Sequence, residues 1–588
     1  MAVVTARGVA GGAMLIGAIT VLARIAGFAK QYAFAQTVGT NCLATAYMTA
    51  NQIPNIVFEV VVGGALAGMV VPVLAGAAAR APGAQPFSGA GPSGRQASAP
   101  GGIGRRPAEE AAGLPGEGPG VSRAGERVGW ISSALLTWVV VVLVPLAVLT
   151  ALLAGPIIGL FFGATIDQCT DTGAVTAVAA RMLVVFAPQI PLYGVAVVLY
   201  GVLQAHKRFA GPAVAPLVSS IVVIVAYLLF VPLSGGVTDP AKVPGPAELA
   251  LSVGTSLGVL SLVLAVIGPT SRLGLRWRPT LRFPDGVAVQ VRRLAMAGIA
   301  ALLAQQAAMI VVVLLANRTV GNGALAVYNY AWAIYLVPYA VLAVPIATSA
   351  FPRLAALAGE PRAFSELAAR TTRAVVLVSG LAAGVLAAAS SPGAVVFLGS
   401  KSDVLSPAEL ARAIALFAPG LVGYGLIAHL SRVLYAVGRG RAAATGTVTG
   451  WVVAMAGQVV FALALPEGWR IGGMALGMSV GMSVGGMLLL GSVVRARGSG
   501  AVAGLPRAVG AALGGGLLGY LAGAGVVGLL GASGIWPNVG AAVLAAVVAL
   551  VVGAAVVAVV DRADAATVAG LVRRGGAATG SSEGDGAE

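Results

Sequence analysis

The sequence predicts an all-α polytopic membrane protein of about fourteen transmembrane helices, built as two six-helix parallel repeats with two extra helices appended. Three observations carry that prediction. Of 588 residues, 58% are hydrophobic and only 10% are charged, with a mean hydropathy of +0.94. A soluble chain carries about 25% charged residues, so lipid must serve as most of this chain's solvent. Second, the apolar residues fall into fourteen runs long enough to cross a bilayer. Third, the first twelve runs contain an internal repeat.

A helix needs about 20 residues to cross the hydrocarbon core. The runs lie at about 8–28, 42–78, 130–162, 177–205, 210–233, 247–269, 294–316, 323–350, 374–398, 410–437, 442–465, 471–494, 507–531 and 538–560. They are continuous and not alternating, which excludes a β-barrel. The first run is too long for a signal peptide and is followed directly by a second run. The segments expected are 1–79 (spans 1–2), a disordered cytoplasmic loop at 80–127, 128–270 (spans 3–6), 287–496 (spans 7–12), 505–561 (spans 13–14) and a cytoplasmic tail at 562–588. The loop is rich in Pro, Gly, Ser and Ala, with almost no large apolar residues to bury.

The net charge of +16 is carried in short segments between apolar runs and not in one patch. It therefore sets membrane topology rather than recruiting nucleic acid. With the N-terminus inside, 28 of the 36 basic residues fall in inside segments and 7 in outside segments, with Arg24 inside a span. Both termini are thus expected on the cytoplasmic side of the plasma membrane, which requires an even number of spans.

The repeat aligns 180–208, ARMLVVFAPQIPLYGVAVVLYGVLQAHKR, with 411–439, ARAIALFAPGLVGYGLIAHLSRVLYAVGR, without gaps at an offset of 231. Phe186/Phe417, Pro188/Pro419, Tyr193/Tyr424, Gly194/Gly425 and Arg208/Arg439 are among the identical pairs. Thr37-Val38-Gly39 echoes Thr319-Val320-Gly321 at an offset of 282. The offsets differ by 51, close to the 48-residue length of 80–127. Six spans per copy is even, so both copies face the same way, and a cleft is expected between two lobes.

Ionisable groups inside a span are costly and mark a cavity or a partner. Arg24 is expected in the outer part of span 1 and Glu59 near the middle of span 2. The two either pair as a packing element or line the cleft, where Arg24 would meet an anion and Glu59 a proton or cation. Pro54 bends span 2, and Asn51, Gln52 and Asn55 can satisfy the freed backbone groups. Gly63 and Gly64 allow flexing beyond it, so Pro54, Gly63 and Gly64 form a candidate gate. Cys42 and Cys169 both fall on the predicted outer face, where a disulfide and two free thiols are both chemically permitted. Two Cys and two His are too few for a metal cluster, His206 and His429 match no ligand spacing such as HExxH, and no Walker A pattern is present. Neither an enzyme nor a cofactor is expected.

The stretch 24–75, RIAGFAKQYAFAQTVGTNCLATAYMTANQIPNIVFEVVVGGALAGMVVPVLA, is similar to the opening of the MurJ/MviN lipid II flippases of the multidrug/oligosaccharidyl-lipid/polysaccharide exporter superfamily. Arg24, Gly27, Phe28 and Lys30 match the family's arginine and the Gly-Phe and basic residue after it. Ile53-Pro54-Asn55 matches its Leu-Pro-Asn, and Val71-Pro72 its later Val-Pro. The resemblance implies a V of two lobes that carries undecaprenyl-diphosphate-linked peptidoglycan precursor from the inner to the outer leaflet by alternating access. It also implies a groove for the lipid tail at the two extra helices. Its partners would be that precursor, membrane lipids and wall-synthesis proteins. Of the family's charges only Arg24 and Lys30 carry over. An acid early in span 2 falls at Thr45, an arginine pair at Phe58 and Glu59, and an arginine of span 8 near Ala333. Arg318 and Arg432 are the alternative holders of an anionic head. A related exporter of another polyprenyl-linked saccharide or of an amphiphilic cation, and a non-transporting scaffold, are the other readings.

Overall fold

A computed structural model describes residues 19, 22–60, 119–206, 208–275, 277–283, 287–399 and 405–562. Among them every regular element is a helix. The chain begins with α1 (22–37) and α2 (Cys42–Phe58), then α3 (Pro119–Leu152), α4 (Ala154–Phe161), α5 (Thr172–Phe186), α6 (Gln189–Ala205), α7 (Ala210–Ser234) and α8 (Gly245–Ser271). The second half holds α9 (Val287–Leu315), α10 (Ala324–Pro338), α11 (Val344–Ala356), α12 (Pro361–Ala388), α13 (Ser390–Leu398), α14 (Pro407–Phe417), α15 (Gly420–Ala436), α16 (Gly440–Ala464) and α17 (Arg470–Arg497). The chain ends in α18 (Leu505–Leu530) and α19 (Ile535–Val560).

Eleven helices among the described residues are long and apolar enough to cross a membrane, or twelve when the bent pair α14–α15 counts as one span. The other two expected spans coincide with α1 and α2, which adjoin residues outside the described set. Gly63, Gly64 and residues 80–118 also lie outside it. Two boundaries differ from expectation. The segment α1 runs to residue 37 rather than 28, so Arg24 lies deeper than its expected outer position and Lys30 sits in the helix instead of an outer loop. The polar Gln31, Gln36 and Thr37 mask the end of the span in hydropathy, although Gln36 and Thr37 each find a backbone carbonyl partner. The helix α3 begins at Pro119, inside the stretch expected to be loop.

Packing repeats with the sequence. In the first half, α2 packs on α5, α3 on α6, α6 on α8, and α7 on α8. In the second half, α11 packs on α15, α12 on α15, α15 on α17, and α16 on α17. The last three of these relations are those of the first half displaced by six spans. The helices α18 and α19 pack on each other and on α12, on the flank of the second lobe. Without a hydrophobic force between helices in lipid, close approach depends on small residues. A Cβ on Gly477 of α17 would stand 2.2 Å from the Gln458 nitrogen of α16, and one on Gly423 of α15 would stand 2.5 Å from the Met482 backbone.

The repeat segment itself has the same local form in both lobes. Each is a helix pair broken at Ala-Pro. The bond from the Ala187 nitrogen to the Leu183 carbonyl is 2.8 Å, and that from Ala418 to Ile414 is 3.1 Å. The closing bonds, Arg208 N–H to Leu203 O and Arg439 N–H to Leu434 O, are both 2.8 Å. Gly194 packs against Val139 and Leu143 of α3, and Gly425 against Val375 and Ser379 of α12. The third span of each lobe therefore supports the same glycine of its fourth.

Candidate functional site: a cleft sealed at one end

The two echoes of Thr-Val-Gly end the first span of each lobe, and their glycines take left-handed backbone conformations, φ 86° at Gly39 and 105° at Gly321. Non-glycine residues rarely adopt such angles. The two turns meet between the lobes. The Gly323 N–H donates to Thr45 Oγ1 at 2.8 Å, and Thr45 Oγ1 lies 3.0 Å from Asn322 Oδ1. Asn317 donates to Thr49 Oγ1 at 2.9 Å, and the Tyr330 hydroxyl to the Gly39 carbonyl at 3.2 Å. Gln36 reaches the Phe397 carbonyl at 2.7 Å. The 162–171 loop joins through the Asp167 carbonyl, which accepts from Asn322 N–H at 3.2 Å. A disulfide between Cys42 and Cys169 ties that loop to the start of α2. These bonds between the lobes gather at one end, so the cleft is sealed here.

Away from the seal the lobes part. A cavity of about 440 Å³ opens between α1, α7 and α10, and is lined by Arg24, Gly27, Phe28, Pro216, Ala333 and Leu336 among others. Arg24 is its one charged lining residue among the described residues. Arg432 of α15 is not among the lining residues and donates to the Ala428 carbonyl of its own helix. Glu59 lies in a π-helical turn just after α2. Asn55 accepts a hydrogen bond from the Tyr193 hydroxyl at 3.3 Å.

Of the residues expected from sequence, the structure places Arg24 on the cavity, whereas Asn55, Glu59 and Arg432 are not among the residues lining it. No ion pair among the described residues joins Arg24 to Glu59, so the packing pair is not formed. Arg318 is displaced from its expected role. It lies at the seal and donates to the Leu160 carbonyl, because the π turn 316–320 that carries it ends at the interlobe contact. Lys30 lies six residues beyond Arg24, about 9 Å further along the helix, and is not among the residues lining the cavity. Pro54 is buried within α2. Sequence reasoning missed the contacts of Thr45, Thr49, Asn317 and Asn322, whose short polar side chains give no sign of their partners. Thr45 places a hydroxyl at the centre of the seal. Ala333 lines the cavity beside Arg24, and Phe58 packs at a tilt on Tyr193 with ring centroids 4.3 Å apart.

The family model described as lipid II flippase MurJ matches residues 124–549, well over half of the chain. The chain belongs to the MurJ lipid II flippase family. A solved structure described as lipid II flippase MurJ in an inward closed conformation is similar with a TM-score of 0.65 at 17% identity, covering 92% of this chain and 98% of that one. An inward-facing multidrug resistance MATE transporter of the MOP superfamily matches with a TM-score of 0.60 at 15% identity, over 82% of this chain and 98% of that one. A MOP superfamily transporter from Pyrococcus furiosus matches with a TM-score of 0.51 at 15% identity, over 82% and 95%. At these identities the structures establish the shared fold. The family match lies wholly beyond spans 1 and 2, so it is independent of the motif at 24–75.

Proposed function

We propose that this MurJ-family chain carries undecaprenyl-diphosphate-linked peptidoglycan precursor, lipid II, from the inner to the outer leaflet of the plasma membrane, the cleft opening to each side in turn. The observation that carries this reading is a cleft between two equivalent lobes, sealed at one end and opening beyond the seal into a cavity lined by Arg24. A diphosphate fits there, because guanidinium groups bind phosphate oxygens in a fixed fork and low-dielectric walls strengthen the attraction. Arg24 takes the anion in this reading. Pro54 and the π turn beyond it let span 2 flex as the lobes rock. The distribution of basic residues supports placing the sealed, disulfide-bearing end outside and both termini inside.

Complementation of a strain lacking its lipid II flippase tests the proposal. Growth is expected, with precursor accumulating in the inner leaflet when the chain is depleted. Failure to complement despite normal membrane abundance would overturn it. Glu59, a carboxylate within span 2, favours one second reading, an exporter of an amphiphilic cation, for which drug efflux without complementation is the sign.

A further inference from the structure

The segment that joins the two six-helix units, between α8 and α9, is fastened to α3. The hydroxyls of Ser133 and Thr137, one helical turn apart, accept the backbone N–H groups of Arg278 and Thr280, each at 3.1 Å. The indole N–H groups of Trp130 and Trp138 donate to the Arg282 and Leu281 carbonyls at 3.0 and 3.1 Å. Leu273, Leu275 and Phe283 pack against the apolar core that α3 forms with α6. Hydroxyls and indoles of α3 thus satisfy the backbone of a strap that has no regular structure to do so.

The strap leaves Trp277, Arg278 and Pro279 free. With Leu136, Val140 and Val141 of α3 they line an open groove of about 310 Å³. It shares no lining residue with the interlobe cavity, and Val140, Val141 and Trp277 are exposed, so it lies on the lipid-facing side of the first lobe. From the groove α3 runs on to Leu152, and α4 leads to the 162–171 loop, which puts the groove at the end of the span away from the seal. Ser133 and Thr137 also line it, with their hydroxyls already bonded to the strap. The guanidinium of Arg278 is exposed at the rim and makes no hydrogen bond or ion pair among the described residues. Around it the sequence 272–282 holds Arg272, Arg276, Arg278 and Arg282 and no acid. Trp130, Trp138 and Trp277 are three of the chain's seven tryptophans, and indoles concentrate where hydrocarbon meets headgroups. The groove therefore offers an apolar wall to a hydrocarbon chain and an unpartnered cation at headgroup depth. A zwitterionic lipid brings its own cation to that rim, whereas an anionic lipid brings only the charge that Arg278 lacks. Basic pockets beside membrane helices hold anionic headgroups for this reason.

We propose that the groove between α3 and the strap binds one anionic glycerophospholipid, its phosphate on Arg278 and an acyl chain along Leu136, Val140 and Val141. The bound lipid pins to α3 the segment that links the lobes. Assigning this lipid to the inner leaflet rests on the placement of the sealed end outside given above, but the binding does not. The test uses the full-length chain in phosphatidylcholine nanodiscs doped with phosphatidylglycerol or phosphatidylcholine brominated in the acyl chain. Bromine quenches nearby indoles, and the quenching that disappears in Trp277→Phe is the groove's own. Brominated phosphatidylglycerol is expected to quench that component at about a fivefold lower mole fraction than brominated phosphatidylcholine, the effect of one basic residue on an anionic lipid. Arg278→Gln should abolish the difference. Arg362→Gln, which removes an exposed arginine from the start of α12, should preserve it. Equal mole fractions in the parent, equal losses in the two variants, or no quenching of Trp277 by either lipid would overturn the site. Complete displacement of phosphatidylglycerol by equimolar undecaprenyl diphosphate would overturn it too, by making the groove a cargo site. Translocation enters none of these readouts, so the site and the cargo reading can fail separately.

Discussion

At the scale of the residue, Arg24 is the charge on which the proposed anion binding depends. It is exposed to the interlobe cavity and makes no ion pair among the described residues, and a packing role would have given it one. Arg24→Ala is expected to abolish complementation with membrane abundance unchanged on an immunoblot, and Arg24→Lys to restore only part of it, because an ammonium lacks the bidentate fork. A fully active Arg24→Ala chain would reduce the residue to a helix-packing element. Gly323 sets a second expectation. Its φ is 75°, and a Cβ there would stand 2.3 Å from the Thr40 carbonyl oxygen. Gly323→Ala should cost roughly 1–3 kcal/mol at the seal, read as a lower melting temperature and faster labelling of a reporter cysteine at the interlobe contact. The first of these residues is legible in the sequence and the second is not. An arginine in a span announces itself by its solvation cost. A glycine in a chain with 83 of them announces nothing until the neighbouring lobe is in place.

At the scale of the element, hydropathy locates helices well and their ends poorly. It stops span 1 at 28 because Lys30 and the glutamines after it look like loop, but in the structure Gln36 bonds across the lobes to the Phe397 carbonyl. The bend of 42° between α14 and α15 is legible as Ala-Pro-Gly after Phe417, since the proline cannot continue the hydrogen-bond ladder. The π turn at 59–60 leaves only Pro54 as signal, because a one-residue insertion in a turn has no composition of its own. Helix contact is the other element-level property hidden in composition. The α16–α17 contact depends on glycines that admit no side chain: Gly477 lies against Gln458, and a Cβ on Gly481 would stand 2.4 Å from Ala454. Gly477→Leu is expected to push these helices apart, costing about 3 kcal/mol or more. The variant should lose membrane abundance and thermal stability together. Gly510→Leu, where a Cβ meets nothing within 4 Å, should change neither.

At the scale of the whole molecule, the two lobes and their repeat are legible because Phe-Ala-Pro and Tyr-Gly survive in both copies, whereas the state of the cleft is not. Nothing in the sequence says that Thr45, Thr49, Asn317 and Asn322 meet, since those contacts span 268 to 278 residues. Nor does it decide between a disulfide and two thiols. The disulfide closes a separation of 127 residues and holds the loop bearing Asp167 against α2, so that both first-lobe segments grip the 321–323 turn together. Reduction is therefore expected to cost on the order of 2–4 kcal/mol and to loosen the seal without moving either lobe's interior. Alternating access makes a stricter demand, that the seal must part in every cycle. Thr49 and Asn317 already touch at 2.9 Å. In a chain carrying Cys42→Ser and Cys169→Ser, the added pair Thr49→Cys and Asn317→Cys should cross-link on oxidation and fix the lobes together. Translocation measured in proteoliposomes should fall to that of empty vesicles and return with reductant, while the chain lacking all four cysteines stays active throughout. Undiminished translocation by the cross-linked chain would mean that cargo crosses without separation at this contact, and the rocking of two equivalent lobes would have to be abandoned as the mechanism.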